Sequence, residues 1–135
     1  LEDRAIDVFS HGRMVRDFTY VDDIVEGVLR TLDRTATPAA DFDAHHPDPA
    51  TSHAPYRVFN IGNSEPVPLM AFIEAIEQAV GREARKNFLP MQAGDVPATH
   101  ADVSALTEWT DFAPRMPVNE GVRRFVDWYR SYYRV

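Results

Sequence analysis

The chain has 135 residues and a mass of 15.3 kDa, which corresponds to one small domain or to a piece of a larger protein. Hydrophobic residues make up 44% of it and charged residues 26%, so the composition predicts a soluble, folded chain and not a disordered one. Because no cysteine occurs, disulfides, thiolate metal sites and a thiol nucleophile are excluded.

A net charge of −7 disfavours general electrostatic binding to nucleic acid. Lys86 is the only lysine, and the other 13 basic residues are arginines, whose planar donor fork matches phosphate oxygens. Any phosphate contact is therefore expected from an arginine. The apolar runs are too short for a transmembrane helix or a signal peptide, so we expect a cytoplasmic protein that does not bind membranes. The first residues lack an initiator Met, and we expect further sequence before them in a parent protein.

Extended segments open the chain. Residues 5–9 alternate apolar and polar side chains, which predicts a short strand, and a second extended piece is expected over 14–20. Asp23 and Glu26 have the spacing of a capping box, and apolar residues recur at helical intervals after them. The pattern predicts a helix over about 23–34.

The middle of the chain is expected to contain a long surface loop, a strand and a helix. Residues 35–55 are rich in Pro, Ala, Asp, His, Ser and Thr, which predicts the loop. Residues 56–61 are β-branched and aromatic, which predicts a buried strand. Gly81 is placed to end the helix with a left-handed cap, and the helix has an apolar face formed by Leu69, Phe72, Ile73, Ile76 and Val80.

The last third is expected to add one strand and two helices. Residues 86–90 predict the strand, which leads into a turn at 92–95. Asp102 is expected to cap a short helix that holds Leu106 and Trp109. The last helix, about 118–133, is expected to bury Val122, Phe125, Val126 and Tyr129. Because strands and helices alternate, the predicted fold class is α/β.

Several motifs of catalysis are missing. The six glycines, at 12, 27, 62, 81, 94 and 121, are too scattered for a dinucleotide-binding fingerprint. A Tyr-x-x-x-Lys pair is excluded because Arg82 precedes the only lysine, Lys86, by four residues. The adjacent acids Asp22 and Asp23 stand at a helix start, where carboxylates cap amides, and they are interpreted as structural.

Histidines and acids share the long loop and raise the question of a metal site. His45, His46 and His53 lie near Asp41, Asp43 and Asp48 in the sequence. A flexible loop lacks the second shell that orients metal ligands, so we interpret the group as a solvated loop and predict no metal.

Three segments in order carry a resemblance to a known family. They are residues 12–27 (GRMVRDFTYVDDIVEG), 52–64 (SHAPYRVFNIGNS) and 91–102 (MQAGDVPATHAD). Together they resemble the C-terminal part of extended short-chain dehydrogenase/reductases that act on nucleotide sugars, and UDP-glucuronate 4-epimerases more than UDP-galactose 4-epimerases. The resemblance spans 1–135, whereas those enzymes are more than twice as long.

The resemblance implies an α/β, nucleotide-sugar-binding C-terminal portion whose Rossmann half is absent. It implies a parent enzyme that binds NAD through that missing half, oxidises and re-reduces C4 of the sugar, and converts UDP-glucuronate to UDP-galacturonate as a homodimer. The catalytic and cofactor-binding residues would then all lie outside this chain, which alone is expected to be inactive.

The resemblance also implies which residues hold the UDP part. Arg16 matches the arginine that contacts the diphosphate, although a structural salt bridge to Asp17 or another acid is the alternative. Val8 and Phe9 match strand positions that meet the uracil, by backbone hydrogen bonds and ring contact, although an aromatic residue there also suits a core. These assignments place the base at the first strand.

The turn at 92–95 is expected to complete the UDP site. Gln92 and Asp95 match the positions that hold the diphosphate and the ribose hydroxyls, and an ionised Asp suits a diol because it only accepts hydrogen bonds. The alternative for Asp95 is a turn-stabilising role. Gln92 and Thr99 stand where UDP-galactose epimerases carry Arg and Tyr.

Two other functions stay open at this point. The chain fits a non-catalytic module that binds a nucleotide sugar or a protein. It also fits another extended short-chain enzyme, such as a UDP-glucose or UDP-N-acetylglucosamine epimerase or a 4,6-dehydratase.

Overall fold

The computed structural model describes residues 4–135 and confirms the α/β class. The strands are β1 (Ile6–Val8), β2 (Val15–Arg16), β3 (Val67–Pro68) and β4 (Lys86–Phe88). The helices are α1 (Val21–Leu32), α2 (Leu69–Val80), α3 (Ser104–Thr110) and α4 (Val118–Tyr133), and a 3₁₀ segment (Phe9–Gly12) follows β1. None of these helices is long and apolar enough to cross a membrane.

The short strands fasten the start of the chain to its later parts. β1 pairs in parallel with β4, in the register Ile6↔Lys86, and β2 pairs antiparallel with β3. An isolated parallel bridge joins Val15 to Ala98. The segment that carries Arg16, Asp17 and Phe18 is therefore held between residues that are distant in sequence.

The helices form two pairs, α2 with α4 and α1 with α3. As predicted, α2 ends at Gly81, whose φ of 74° is the left-handed conformation that glycine adopts without strain. Arg130 Nη2 of α4 donates to the carbonyl of Val80 at 2.7 Å, which places a cation at the negative end of α2. The described core consists of Val8, Met14, Ala39, Ile73, Leu106, Val122 and Val126.

Helix α1 begins without the predicted capping box. Its N-cap is Tyr20, and no side chain caps it. Asp23 Oδ2 instead accepts the backbone amides of Arg115 and Met116, at 2.9 and 2.8 Å. The capping prediction was wrong because the carboxylate satisfies amides of the segment before α4, and this bond ties α1 to that segment.

Two expected strands are shorter or absent. Residues 14–20 contain only β2, and residues 56–61 form no strand, with a single bridge between Arg57 and Thr51. Val58 is 49% exposed. The strand prediction at 56–61 was wrong because β-forming side chains need a neighbouring strand, and only Thr51 pairs with this stretch among the described residues. Residues 35–55 form turns and bends that are mostly exposed, apart from the buried Ala39 and the bridge at Thr51.

Phe125 corrects the predicted burial of α4. Val122 and Val126 are buried against the rest of the fold, but Phe125 is 55% exposed. It borders an apolar groove of about 610 Å³ between α2 and α4, next to Phe18 and Phe72, whose rings stack with centroids 3.9 Å apart. Val122 and Val126 line the same groove but are only 8% and 7% exposed, so of the three residues Phe125 is the one that leaves much of its ring in solvent.

Helix α3 also begins differently from the prediction. Its N-cap is Val103, and Asp102 lies one residue before it. Asp102 Oδ1 accepts hydrogen bonds from Ser104 Oγ and from the Ser104 amide, which lower the pKa of Asp102. The side chain thus stabilises the first turn from outside the helix.

Candidate functional site

Arg16 is the centre of the candidate site. Its side chain is about four-fifths buried, and Nη2 donates to Asp95 Oδ1 at 2.9 Å across 79 residues of sequence. Nη1 donates to the carbonyl of Val15 at 2.9 Å. The structure therefore brings together two of the residues that the sequence nominated, and it gives Arg16 an acid partner other than Asp17.

Asp95 belongs to the turn that was expected at 92–95. Its amide donates to the carbonyl of Gln92 at 3.3 Å, and Gly94 has a φ of 84°. Besides Arg16, Asp95 Oδ1 accepts the amide of Val96 at 2.7 Å. One oxygen thus serves both the turn and the ion pair. The side chain of Gln92 is exposed, and it reaches Asp95 only through its backbone.

Thr99 joins the same region from the following segment. Its amide donates to the carbonyl of Val15 at 3.2 Å, and its Oγ1 accepts the amide of Asp17 at 3.2 Å. Thr99 is exposed, so the hydroxyl still has a face toward solvent. The residues brought together are therefore Arg16, Asp95 and Thr99.

Val8 and Phe9 lie at the end of β1 and are placed differently. The side chain of Val8 is 1% exposed, and its carbonyl accepts the amide of Leu89 at 3.0 Å. Phe9 begins the 3₁₀ segment and is not in the strand, because Ser10 and His11 turn the chain with φ values of 51° and 50°. Phe9 is half-buried. Of this pair, only Phe9 has a side chain that is accessible to the ring of a bound base, because the side chain of Val8 is buried.

Asp17 is a residue beside the site whose structural role sequence reasoning missed. Its Oδ1 accepts the amide of Asn63 at 3.0 Å, and its Oδ2 accepts those of Ser64 and Ala101 at 3.1 and 3.0 Å. The sequence considered it only as a partner for Arg16. Gly62 packs closely against this junction, because a Cβ there would lie 2.3 Å from the Cβ of Ala101 and 2.9 Å from Asp17 Oδ2.

Comparisons with known proteins show what the chain is similar to. Residues 1–62 match the family model described as the NAD dependent epimerase/dehydratase family. Over 134 residues the chain is 52% identical to Protein CapI of Staphylococcus aureus, and the match covers 99% of this chain and 40% of that protein. It is 48% identical over 135 residues to a probable UDP-glucuronate 4-epimerase of Rhizobium meliloti (strain 1021), covering 97% of this chain and 39% of that protein.

A solved structure extends the agreement to the fold. The crystal structure of UDP-glucuronic acid 4-epimerase from Bacillus cereus, in complex with UDP-glucuronic acid and NAD, superposes with a TM-score of 0.75. It is 26% identical, and the match covers 98% of this chain and 37% of that one. The chain therefore resembles the NAD dependent epimerase/dehydratase family. It corresponds to the C-terminal part of an extended short-chain dehydrogenase/reductase and spans about two fifths of the length of the curated relatives it matches.

The NAD of this epimerase/dehydratase family does not fit the residues described. A dinucleotide needs a glycine-rich turn between a strand and a helix N-terminus. Among residues 4–135, β1 leads into the 3₁₀ segment, and β3 leads into α2 without a glycine between them. Gly62 packs against Ala101, and Gly94 lies in an open turn. The described residues therefore offer no binding site for the dinucleotide.

Local hydrogen bonds engage the acids and histidines of the long loop over 35–55. Asp43 accepts the amide of His45 at 2.8 Å and lies 3.1 Å from Nδ1 of His46. The His45 amide, followed by the His46 ring, lowers the pKa of Asp43. No group of three or more His, Asp or Glu side chains within the described part of the chain is arranged to hold a metal ion.

The apolar groove between α2 and α4 does not suit a nucleotide diphosphate. Among its described lining residues Arg130 alone is charged, and its Nη2 is bonded to the carbonyl of Val80. A diphosphate requires several exposed donors or cations. Arg16 and its surroundings therefore remain the candidate site of this chain.

Proposed function

We propose that this chain binds the UDP part of a nucleotide sugar as the C-terminal portion of a longer NAD-dependent 4-epimerase that converts UDP-glucuronate to UDP-galacturonate. The observation that carries the proposal is the position of Arg16: its partly buried guanidinium is fixed at the end of β2, beside the turn that holds Asp95. A guanidinium held in this way can grip phosphate oxygens through two donors.

The proposal gives each of these residues a role. Arg16 binds the diphosphate, and Asp95 accepts hydrogen bonds from the ribose hydroxyls, since an ionised carboxylate only accepts. Gln92 and Thr99 are exposed polar side chains at the rim of the same region. Phe9 offers its ring to the uracil, and the backbone of Val8 fixes the position of Phe9. None of these residues performs the hydride transfer, for which NAD supplies the chemistry outside this chain.

An exposed stripe on α1 supports the view that the chain acts within a longer protein. Its apolar side chains are between 49% and 76% exposed and lie on one face: Val21, Val25, Val28, Leu29 and Leu32. A contiguous apolar stripe of this kind marks an interaction surface, because solvated helices place such residues inward. The relatives are about two and a half times as long as this chain, and in the proposed longer protein the additional part would cover that surface.

The choice of glucuronate rests on sequence likeness. A relative 48% identical is described as a probable UDP-glucuronate 4-epimerase, and the Bacillus cereus enzyme of the same fold binds UDP-glucuronic acid. In this chain, Gln92 and Thr99 replace the arginine and tyrosine of the UDP-galactose epimerases that it resembles less closely. A panel of UDP-glucuronate, UDP-glucose, UDP-N-acetylglucosamine and dTDP-glucose tests this choice, and faster turnover of any sugar other than glucuronate would contradict it.

Measurement of the intact mass of the natural protein is the first experiment. A mass more than twice 15.3 kDa is expected. A protein of 15.3 kDa that melts cooperatively and binds UDP would instead identify a non-catalytic module. The cytoplasmic location and the homodimer belong to the same proposal, and fractionation and light scattering of the natural protein test them.

The role of Arg16 is tested by Arg16→Ala in the full-length protein. Loss of charge-assisted hydrogen bonds worth about 1.5–3 kcal/mol should raise the KM for the UDP-sugar at least tenfold and leave bound NAD unchanged. Arg123→Ala is the matched control, because Arg123 forms exposed ion pairs with Glu120 and Asp127 on α4. An unchanged KM in Arg16→Ala would refute the proposed contact.

A further inference from the structure

The two side chains proposed to hold the nucleotide bind each other in this structure. Arg16 Nη2 donates to Asp95 Oδ1 at 2.9 Å, while Nη1 is occupied by the carbonyl of Val15. The guanidinium charge that a diphosphate would use is therefore already paired with a carboxylate. A phosphate oxygen that approaches Nη2 has to compete with Asp95 for the same donor.

The two partners differ in how firmly they are held. Arg16 lies in β2, which pairs with β3. Asp95 lies in a turn closed by one backbone hydrogen bond of 3.3 Å, from its own amide to Gln92, and its Oδ1 also accepts the amide of Val96 at 2.7 Å, a bond within the same turn that does not tie the carboxylate to β2. Gly94 precedes it with nothing packed against the position of a Cβ. Asp95 is therefore the partner that can leave, and Arg16 the partner that stays.

The exposure of the two side chains indicates how strongly Asp95 competes with a phosphate for Arg16. The side chains of Arg16 and Asp95 are 21% and 32% exposed, so the pair is screened by solvent but not fully hydrated. Partly exposed ion pairs contribute about 0.2–1 kcal/mol. This range corresponds to a factor of about 1.4 to 5 in any equilibrium that breaks the pair.

We propose that Asp95 is an exchangeable counter-ion of Arg16 that selects nucleoside diphosphates over simple phosphates. The inference rests on the function proposed above. A diphosphate displaces the carboxylate from Arg16, and the released carboxylate then accepts the ribose hydroxyls of the same ligand. A nucleotide gains more from the hydrogen bonds between its ribose and the carboxylate than it loses in breaking the partly exposed ion pair, whereas inorganic pyrophosphate has no ribose and gains nothing in return.

The test compares wild type with Asp95→Asn in the full-length protein, which keeps the side-chain shape and removes the charge. UDP affinity is measured by calorimetry, and pyrophosphate affinity by its displacement of UDP. We expect Asp95→Asn to bind pyrophosphate about threefold more tightly, because Arg16 is no longer neutralised, and to bind UDP less tightly. The ratio of UDP to pyrophosphate affinity should therefore fall.

Asp127→Asn is the matched control, since it also removes one negative charge and one exposed pair, with Arg123 at 3.2 Å. Pyrophosphate affinity that is unchanged or weaker in Asp95→Asn, or that rises equally in Asp127→Asn, overturns the inference. If the inference is overturned but Arg16→Ala still weakens UDP binding, the counter-ion role of Asp95 is wrong and the proposed function stands. If wild type binds no UDP, both fail. Thermal melting of each variant ensures that folded proteins are compared.

Discussion

Substitution of Asp17 by asparagine should loosen the junction beside the site. The carboxylate accepts amides from Asn63, Ser64 and Ala101, and so joins two segments, around residues 63–64 and 101, to the chain that follows β2. Asparagine retains one acceptor oxygen and introduces an NH₂ group that faces amide donors. At least one of the three amides must lose its partner, and the others lose a charged acceptor.

The size of the effect follows from this count. A hydrogen bond to a charged group contributes about 1.5–3 kcal/mol, and the lower end applies because Asp17 is only partly buried. We therefore expect Asp17→Asn to lower the free energy of local opening by about 2 kcal/mol, which corresponds to roughly thirtyfold faster exchange of the affected amides.

Hydrogen–deuterium exchange measures this locally, in a protein of any length. The amides of Asn63, Ser64 and Ala101 should exchange faster in Asp17→Asn, and those of α4 should not change. Asp127→Asn is the control, because its exposed pair contributes a few tenths of a kcal/mol. Equal exchange at the three amides in wild type and Asp17→Asn would refute the reasoning.

Two further predictions concern glycine substitution and acid. Gly62→Ala should destabilise the fold by about 2 kcal/mol or more, because its Cβ would lie 2.3 Å from that of Ala101. Gly81→Ala meets open space and should cost only about 1 kcal/mol, for its left-handed φ. Urea unfolding measures both, and a larger loss in Gly81→Ala than in Gly62→Ala would contradict this. The pKa of Glu77 lies below its ordinary 4.5 because the Lys86 ammonium and the amide of residue 84 donate to it. The stability that ionised Glu77 contributes to the folded state is fully present above about pH 4.5 and is lost as the pH falls through the lowered pKa. Glu77→Gln should therefore flatten the acid side of a plot of melting temperature against pH.

Sequence patterns predicted the helices whose boundaries depend on local chemistry. Helix α4 covers Val118–Tyr133, as expected, and α2 stops at Gly81 because the glycine adopts a left-handed φ. Both signals lie within the element itself: an apolar periodicity and a terminating residue. Such signals do not depend on what the rest of the chain does.

The incorrect predictions depend on distant partners. Asp23 has the spacing of a cap, but the amides of Arg115 and Met116 compete for its carboxylate and win. Residues 56–61 have the composition of a strand, but pairing requires a neighbour that sequence does not reveal. Local propensity describes what a segment can do, and tertiary contacts decide what it does.

The candidate site was predicted in the same divided way. The resemblance nominated Arg16 and Asp95 separately, one for the diphosphate and one for the ribose. Their ion pair could not be predicted, because it joins residues 79 positions apart through the pairing of short strands and a bridge at Ala98. A contact between two proposed ligand-binding side chains has no signature in the pattern of either segment.

Arg16 and Asp17 show how one short stretch links stability to binding. Successive residues of an extended chain point to opposite sides. Arg16 turns toward Asp95, and Asp17 turns toward the amides of Asn63, Ser64 and Ala101. The same two positions therefore present a cation on one side and fasten the backbone on the other. Because the Asp17 junction fixes the strand end from which the guanidinium projects, loosening it should also spread the positions of Arg16 and weaken UDP binding without removing a single ligand contact.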